Sequence, residues 1–144
     1  MITTVVEIDA RLQQDGLLLG RMALSHLLLM RDANYPWLVL VPDRQGVREI
    51  YALSVADQQQ LWCESSYLAE RMAVEFQADK MNVAALGNVV AQLHLHHIVR
   101  YRDDVAWPAP VWGKVPAKPY TATELAVMVA RVKRALGDRV EWLL

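Results

Sequence analysis

The sequence predicts an α+β fold with a mainly antiparallel sheet, on three observations. Short apolar runs bounded by turn residues recur along the first hundred residues, as strands do. One long segment carries helical periodicity behind a capping signal. A second capping signal opens another helix near the C-terminus. The 144 residues fit one domain over 1–144, with a core of about two-thirds of the unfolded surface buried.

Leu17–Gly20 and Met22–Met30 read as two strands with a turn near Gly20-Arg21. Asp32-Ala33-Asn34-Tyr35-Pro36 is a loop, because Asp and Asn favour turns and proline pushes its predecessor out of helix. Trp37–Val41 is apolar on both faces, as a central strand is, and ends at Pro42. Ser54-Val55-Ala56-Asp57 starts a helix running to about Gln77. Leu61, Leu68, Met72 and Phe76 recur at helical spacing, which reads as a core face rather than a binding stripe.

Met81–Leu86 is a strand leading to Gly87-Asn88, a turn pair that predicts an antiparallel hairpin with the strand that follows. From Ala106 to Pro119 the chain is rich in proline and tryptophan and cannot form regular helix or central strand. Thr121-Ala122-Thr123-Glu124 is a capping box for a helix to about Leu136, with Gly137 as its stop.

Composition excludes several classes. Hydrophobic residues at 54% and charged residues at 22% rule out a disordered chain. A net charge of −1 does not suit a binder of nucleic-acid backbone, although a local pocket could still take a small anion. The lone Cys63 rules out an internal disulfide and a multi-cysteine zinc site, and its helical surroundings suggest a structural role. Met1–Asp9 lacks the basic start of a signal peptide, and no apolar run approaches the roughly 20 residues that span a bilayer. A cytoplasmic protein is expected.

Function is concentrated in Gln92-Leu93-His94-Leu95-His96-His97, where polar, titratable groups interrupt an apolar strand. Alternation puts Gln92, His94 and His96 on one face and Leu93, Leu95 and His97 on the other. Same-face neighbours are roughly 6–7 Å apart, close enough for two imidazoles and an amide to converge on one ligand. Four uses compete. The histidines could be half-exposed strand residues. They could be two ligands of a metal site completed by His26 or Asp32, although zinc needs a third protein ligand. They could serve general acid–base catalysis. Or one ring nitrogen could attack phosphorus while the other is held protonated by a carbonyl, with Gly87, Asn88 and Val89 supplying donors.

The stretch Gly87–Arg100 resembles the signature of the histidine triad (HIT) superfamily of nucleotide hydrolases and transferases, written H-x-H-x-H-x-x with x apolar after a glycine turn. Leu27–Asp32 followed by Trp37–Pro42 resembles the family's strand, acidic residue, loop and strand ending in proline. The likeness covers about Leu17 to Arg100, within a motif core of about 17–104. The Trp107–Trp112 segment and the last helix resemble a bacterial branch with a Q-x-H-x-H motif. The resemblance implies a HIT-like fold, a sheet flanked by a long central helix and a C-terminal helix, and a homodimer.

It further implies that His94 is the nucleophile and that His96 contacts the phosphate. Asn88 and the Val89 backbone would line a phosphate cradle beside Gly87. Asp32 would bind ribose hydroxyls, with Met30 and Arg31 around the nucleoside and Asn82 as a pocket residue. Gln92 stands where the first histidine is usual and would act through its backbone carbonyl. His97 stands where an apolar residue is usual and is expected to pack or to face an interface. Trp62, Trp107 and Trp112 are candidates for an interface or pocket edge. The implied substrate is a small nucleotide, with no cofactor or metal; the charge balance and the lack of a long apolar run leave no expectation of a nucleic-acid polymer or a membrane as partner. The rival readings are a nucleotide-binding module without catalysis and a metal-dependent enzyme using His94 and His96.

Overall fold

The computed structural model describes residues 6–144, so the signal-peptide reading of Met1–Asp9 falls largely outside the described residues. The chain runs α1 (Ala10–Asp15), β1 (Gly16–Arg21), β2 (Ser25–Met30), β3 (Trp37–Pro42), α2 (Val55–Phe76), β4 (Lys80–Ala84), β5 (Leu95–Arg100), α3 (Ala122–Leu136) and β6 (Glu141–Trp142). Among the described residues six strands form one antiparallel sheet in the order β4-β5-β3-β2-β1-β6.

The apolar run at Trp37 is central as predicted, and all six residues of β3 are buried. Its alternation divides the molecule. Leu38 and Leu40 join Leu27, Leu29, Leu95 and Val99 beneath Leu61, Leu68 and Met72 of α2 and Val132 and Leu136 of α3. Val39 and Val41 face the other way, with Leu28, Ile98, Leu12 of α1 and Val111 of the proline-rich segment. One face therefore carries the two long helices. The other carries α1 and irregular chain.

Both capping signals form. Ser54 accepts from the Asp57 N–H, and Thr121 and Glu124 bond reciprocally across the first turn of α3. Helix α2 stops at Gln77, whose left-handed conformation closes the last turn. The segment from Ala106 to Pro119 contains no helix or strand, as its prolines require. No helix among the described residues is long and apolar enough to cross a membrane.

Several boundaries differ from the sequence reading. The turn after β1 falls at 22–24, not at Gly20-Arg21; the Met22 N–H closes it by bonding the Ser25 carbonyl. Gly20 instead pairs with both β2 and β6, where a Cβ would collide with the Glu141 carbonyl. β4 ends at Ala84, and its partner β5 begins only at Leu95, so residues 85–94 form a loop rather than a Gly-Asn hairpin turn. Gly87 does turn there, with φ of +70°. α1 and β6 are too short to leave a periodic signal. Cys63 is exposed on α2, so it does not serve the core.

Candidate active site

The loop at 85–94 lifts its residues off the sheet, while β5 holds His96 in register opposite Val39. Gln92 and His94 thus precede the strand, a correction to their placement within it. His94 and His96 still share a face, their rings 4.9 Å apart and edge-on. His97 points to the opposite face, fully buried, with Nε2 2.7 Å from Ser65 Oγ on α2.

A cavity of about 670 Å³ opens over the pair. His94 and His96 line it together with Gly87, Asn88 and Val89 from the loop, and with Met30, Arg31 and Asp32 from the end of β2. Eight of the ten sequence-predicted residues therefore meet around one space. The other two do not line it.

Asn82 on β4 uses Oδ1 to accept from Arg100 Nη1 at 2.8 Å. Its work is to satisfy a buried guanidinium, which also bonds Asp104 and the Ala109 carbonyl. The Gln92 amide is turned away from the histidines as well. Its Oε1 accepts from the Asp9 N–H at 2.8 Å and its Nε2 donates to the Glu7 carbonyl at 3.0 Å. The convergence of an amide with two imidazoles that alternation predicts does not occur, because Gln92 lies outside the strand.

Two hydrogen bonds determine the proton positions of the pair. The Gln92 carbonyl lies 2.7 Å from His94 Nδ1. A carbonyl only accepts, so Nδ1 carries the hydrogen and Nε2 of the neutral ring bears a free lone pair. His96 is the converse. Its Nδ1 accepts from the Trp37 indole N–H at 3.0 Å, so its hydrogen is on Nε2. Burial, then the neighbouring His94 and His97, push the His96 pKa down to about 3. The site therefore holds one imidazole with a fixed acceptor nitrogen beside one held neutral with a fixed donor.

Asp32 adds a carboxylate at the far side. Its Oδ1 accepts from the Asn34 and Lys118 N–H groups at 3.0 and 3.1 Å, an arrangement that ties the proline-rich segment to the loop after β2. Trp112 from that segment packs edge-on to His96 at 5.1 Å and also lines the cavity. Trp107 instead stacks over the Arg100 guanidinium, and Trp62 is half-exposed on α2.

Sequence reasoning did not single out α1, whose Arg11 and Leu12 form a wall of the cavity, or the Trp37 donor. Asp9 is the available signal for α1, since it caps the helix by accepting from the Arg11 N–H. His26 does not join the site; its Nε2 is 3.6 Å from Asp43 Oδ1. Among the described residues no group of three or more His, Cys, Asp or Glu is arranged to hold a metal.

The HIT domain family model matches residues 11–103 of the chain. A histidine triad protein from Marinobacter aquaeolei VT8 is 51% identical, with a TM-score of 0.89 over 92% of this chain and 97% of that one. The chain belongs to the HIT family. A histidine triad protein from Bradyrhizobium japonicum is 40% identical (TM-score 0.89), covering 92% of this chain and 99% of its own. One from Sinorhizobium meliloti is 39% identical (TM-score 0.88), covering 90% and 96%. Comparison with curated proteins gave no match. HIT membership implies nucleotide binding and hydrolase or transferase activity at that general level, and the α+β architecture is that of the family.

Proposed function

We propose that this HIT protein is a hydrolase or transferase acting at the α-phosphorus of a nucleoside phosphoramidate, dinucleoside polyphosphate or adenylate. The observation that carries the reading is the pair of complementary tautomers: His94 with Nε2 free and His96 with Nε2 protonated, 4.9 Å apart between ring centres in one cavity.

The neutral His94 Nε2 attacks phosphorus and forms a P–N bond, while the bond to the leaving group breaks and that group takes a proton from solvent. The His96 Nε2–H donates to a phosphoryl oxygen as charge accumulates there. The N–H groups at Asn88 and Val89 serve the same oxygens. Water then attacks phosphorus, the P–N bond breaks, and a nucleoside monophosphate leaves. Asp32 accepts from ribose hydroxyls, with Met30 and Arg31 beside the nucleoside. Gln92 contributes through its carbonyl, a group every residue has, so loss of the first histidine of the triad is compatible with catalysis.

A homodimer belongs to the same proposal, supported by the exposed Trp62, Tyr51 and Val55 on and before α2. Multi-angle scattering at micromolar protein tests it, and a monomer would refute it.

The decisive experiment is incubation with a panel of adenylated and guanylated substrates followed by intact-mass analysis. A nucleotidyl adduct on His94, absent in His94→Ala together with turnover, is the expected result. Full activity in His94→Ala would overturn the reading. Binding of nucleoside monophosphates with neither adduct nor turnover would leave the non-catalytic module, and activity abolished by chelators would favour the metal enzyme.

A further inference from the structure

The side chain that replaces the first triad histidine has its own task. Gln92 is hydrogen-bonded to residues more than eighty positions away in the chain, and both partners are backbone groups just before α1. A carboxamide presents a donor and an acceptor side by side, as a peptide group does, and so matches the Glu7 carbonyl and Asp9 N–H together. Imidazole cannot substitute, since its two ring nitrogens diverge. Asp9 is also the N-cap of α1, and α1 contributes Arg11 and Leu12 to the cavity wall. The far end of α1 is held separately, by the Arg31 N–H on the Asp15 carbonyl at 2.8 Å.

We infer that the Gln92 side chain is a positioning residue, holding residues 7–9 so that α1 closes the nucleotide cavity, while its backbone carbonyl orients His94. This rests on the nucleotide reading above. One residue thereby joins two parts of the site: the nucleophile through its main chain and the α1 wall through its amide. The amide sets how tightly a nucleotide is held rather than how fast phosphorus is attacked.

The test compares wild type with Gln92→Met, which keeps the length of the side chain and removes both bonds, and Gln92→His. Amide hydrogen exchange over residues 7–15 should accelerate in both variants. Two modest hydrogen bonds predict that the Kd for AMP or GMP, whichever wild type binds, rises about three- to tenfold. With a turned-over substrate the loss should appear in KM more than in kcat. In an Arg11→Ala background, the penalty of Gln92→Met should shrink to below about twofold, because both changes act through the same wall.

Unchanged exchange in Gln92→Met would overturn the inference. So would faster exchange with wild-type affinity, which is the signature of a purely structural bond, or full additivity with Arg11→Ala. If wild type binds neither nucleotide, the functional reading fails first, and the exchange result alone decides whether Gln92 holds the segment.

Discussion

At the scale of single residues, the site depends on which nitrogen of each histidine carries hydrogen. Trp37→Phe keeps an aromatic side chain but removes the N–H that holds His96 Nδ1 as an acceptor. The His96 tautomer is then free to invert, and adduct formation measured by quenched flow should slow about tenfold. His97 titrates on the other face, where burial pushes its pKa down to about 4. His96, at about 3, behaves the same way. Between those values and the unfolded value near 6.5, the unfolded chain binds more protons than the folded one. Stability is thus fully present above about pH 6.5 and falls as pH drops below it, by up to about 1.4 kcal/mol per pH unit for each such histidine. Calorimetric melting from pH 7.5 to 5 should show the decline. Combining Ser65→Ala with His97→Leu removes donor and acceptor together, so the decline should become shallower at little cost at pH 7.5. That His94 and His96 share a face and that His97 faces away from them was legible in the sequence through alternation. The tautomers were not, because the Trp37 donor comes from a different strand.

Elements show a similar division. The α3 capping box is a local pattern, read directly from Thr121 and Glu124 and formed as read. Thr121→Ala should cost about 1 kcal/mol in urea denaturation. The proline-rich segment is different. Its irregularity follows from its prolines, but its place over the site is imposed by Arg100, whose side chain is 1% exposed. Arg100 bonds Asp104 through two nitrogens and reaches the Ala109 carbonyl, with the Trp107 and Tyr35 rings about its guanidinium. Burial would raise the Asp104 carboxyl, yet bonds from Arg100 and from the Tyr101 and Ala106 N–H groups bring it down to about 2. Arg100→Met leaves that carboxylate buried without a counter-ion, so a loss of about 3–5 kcal/mol is expected in denaturant titration. The family resemblance makes Asn82 a pocket residue because of where it stands in the chain. Only the pairing of β4 with β5 shows that it faces Arg100 instead.

The whole molecule is organised by a sheet with two unlike faces, and Gly20 shows how tightly its edge is set. β1 approaches β6 so closely that a methyl group at Gly20 would overlap the Glu141 carbonyl and press on Val140. Gly20→Ala should therefore detach the C-terminal strand, seen as fast hydrogen exchange at 140–143 where the Leu143 N–H now bonds the Leu19 carbonyl. On its own, the sequence determined the class of fold, the long helices with their caps, the central position of β3 and the pairing of His94 with His96. Each of these depends on periodicity or on side chains within a few residues of one another. The tertiary structure alone decided the turn of Gln92 toward Glu7 and Asp9, the α1 wall, the Arg100 anchor and the release of Asn82 from the cavity. These are contacts between distant parts of the chain, where competition among neighbours, rather than any local preference, selects the partner of each polar group.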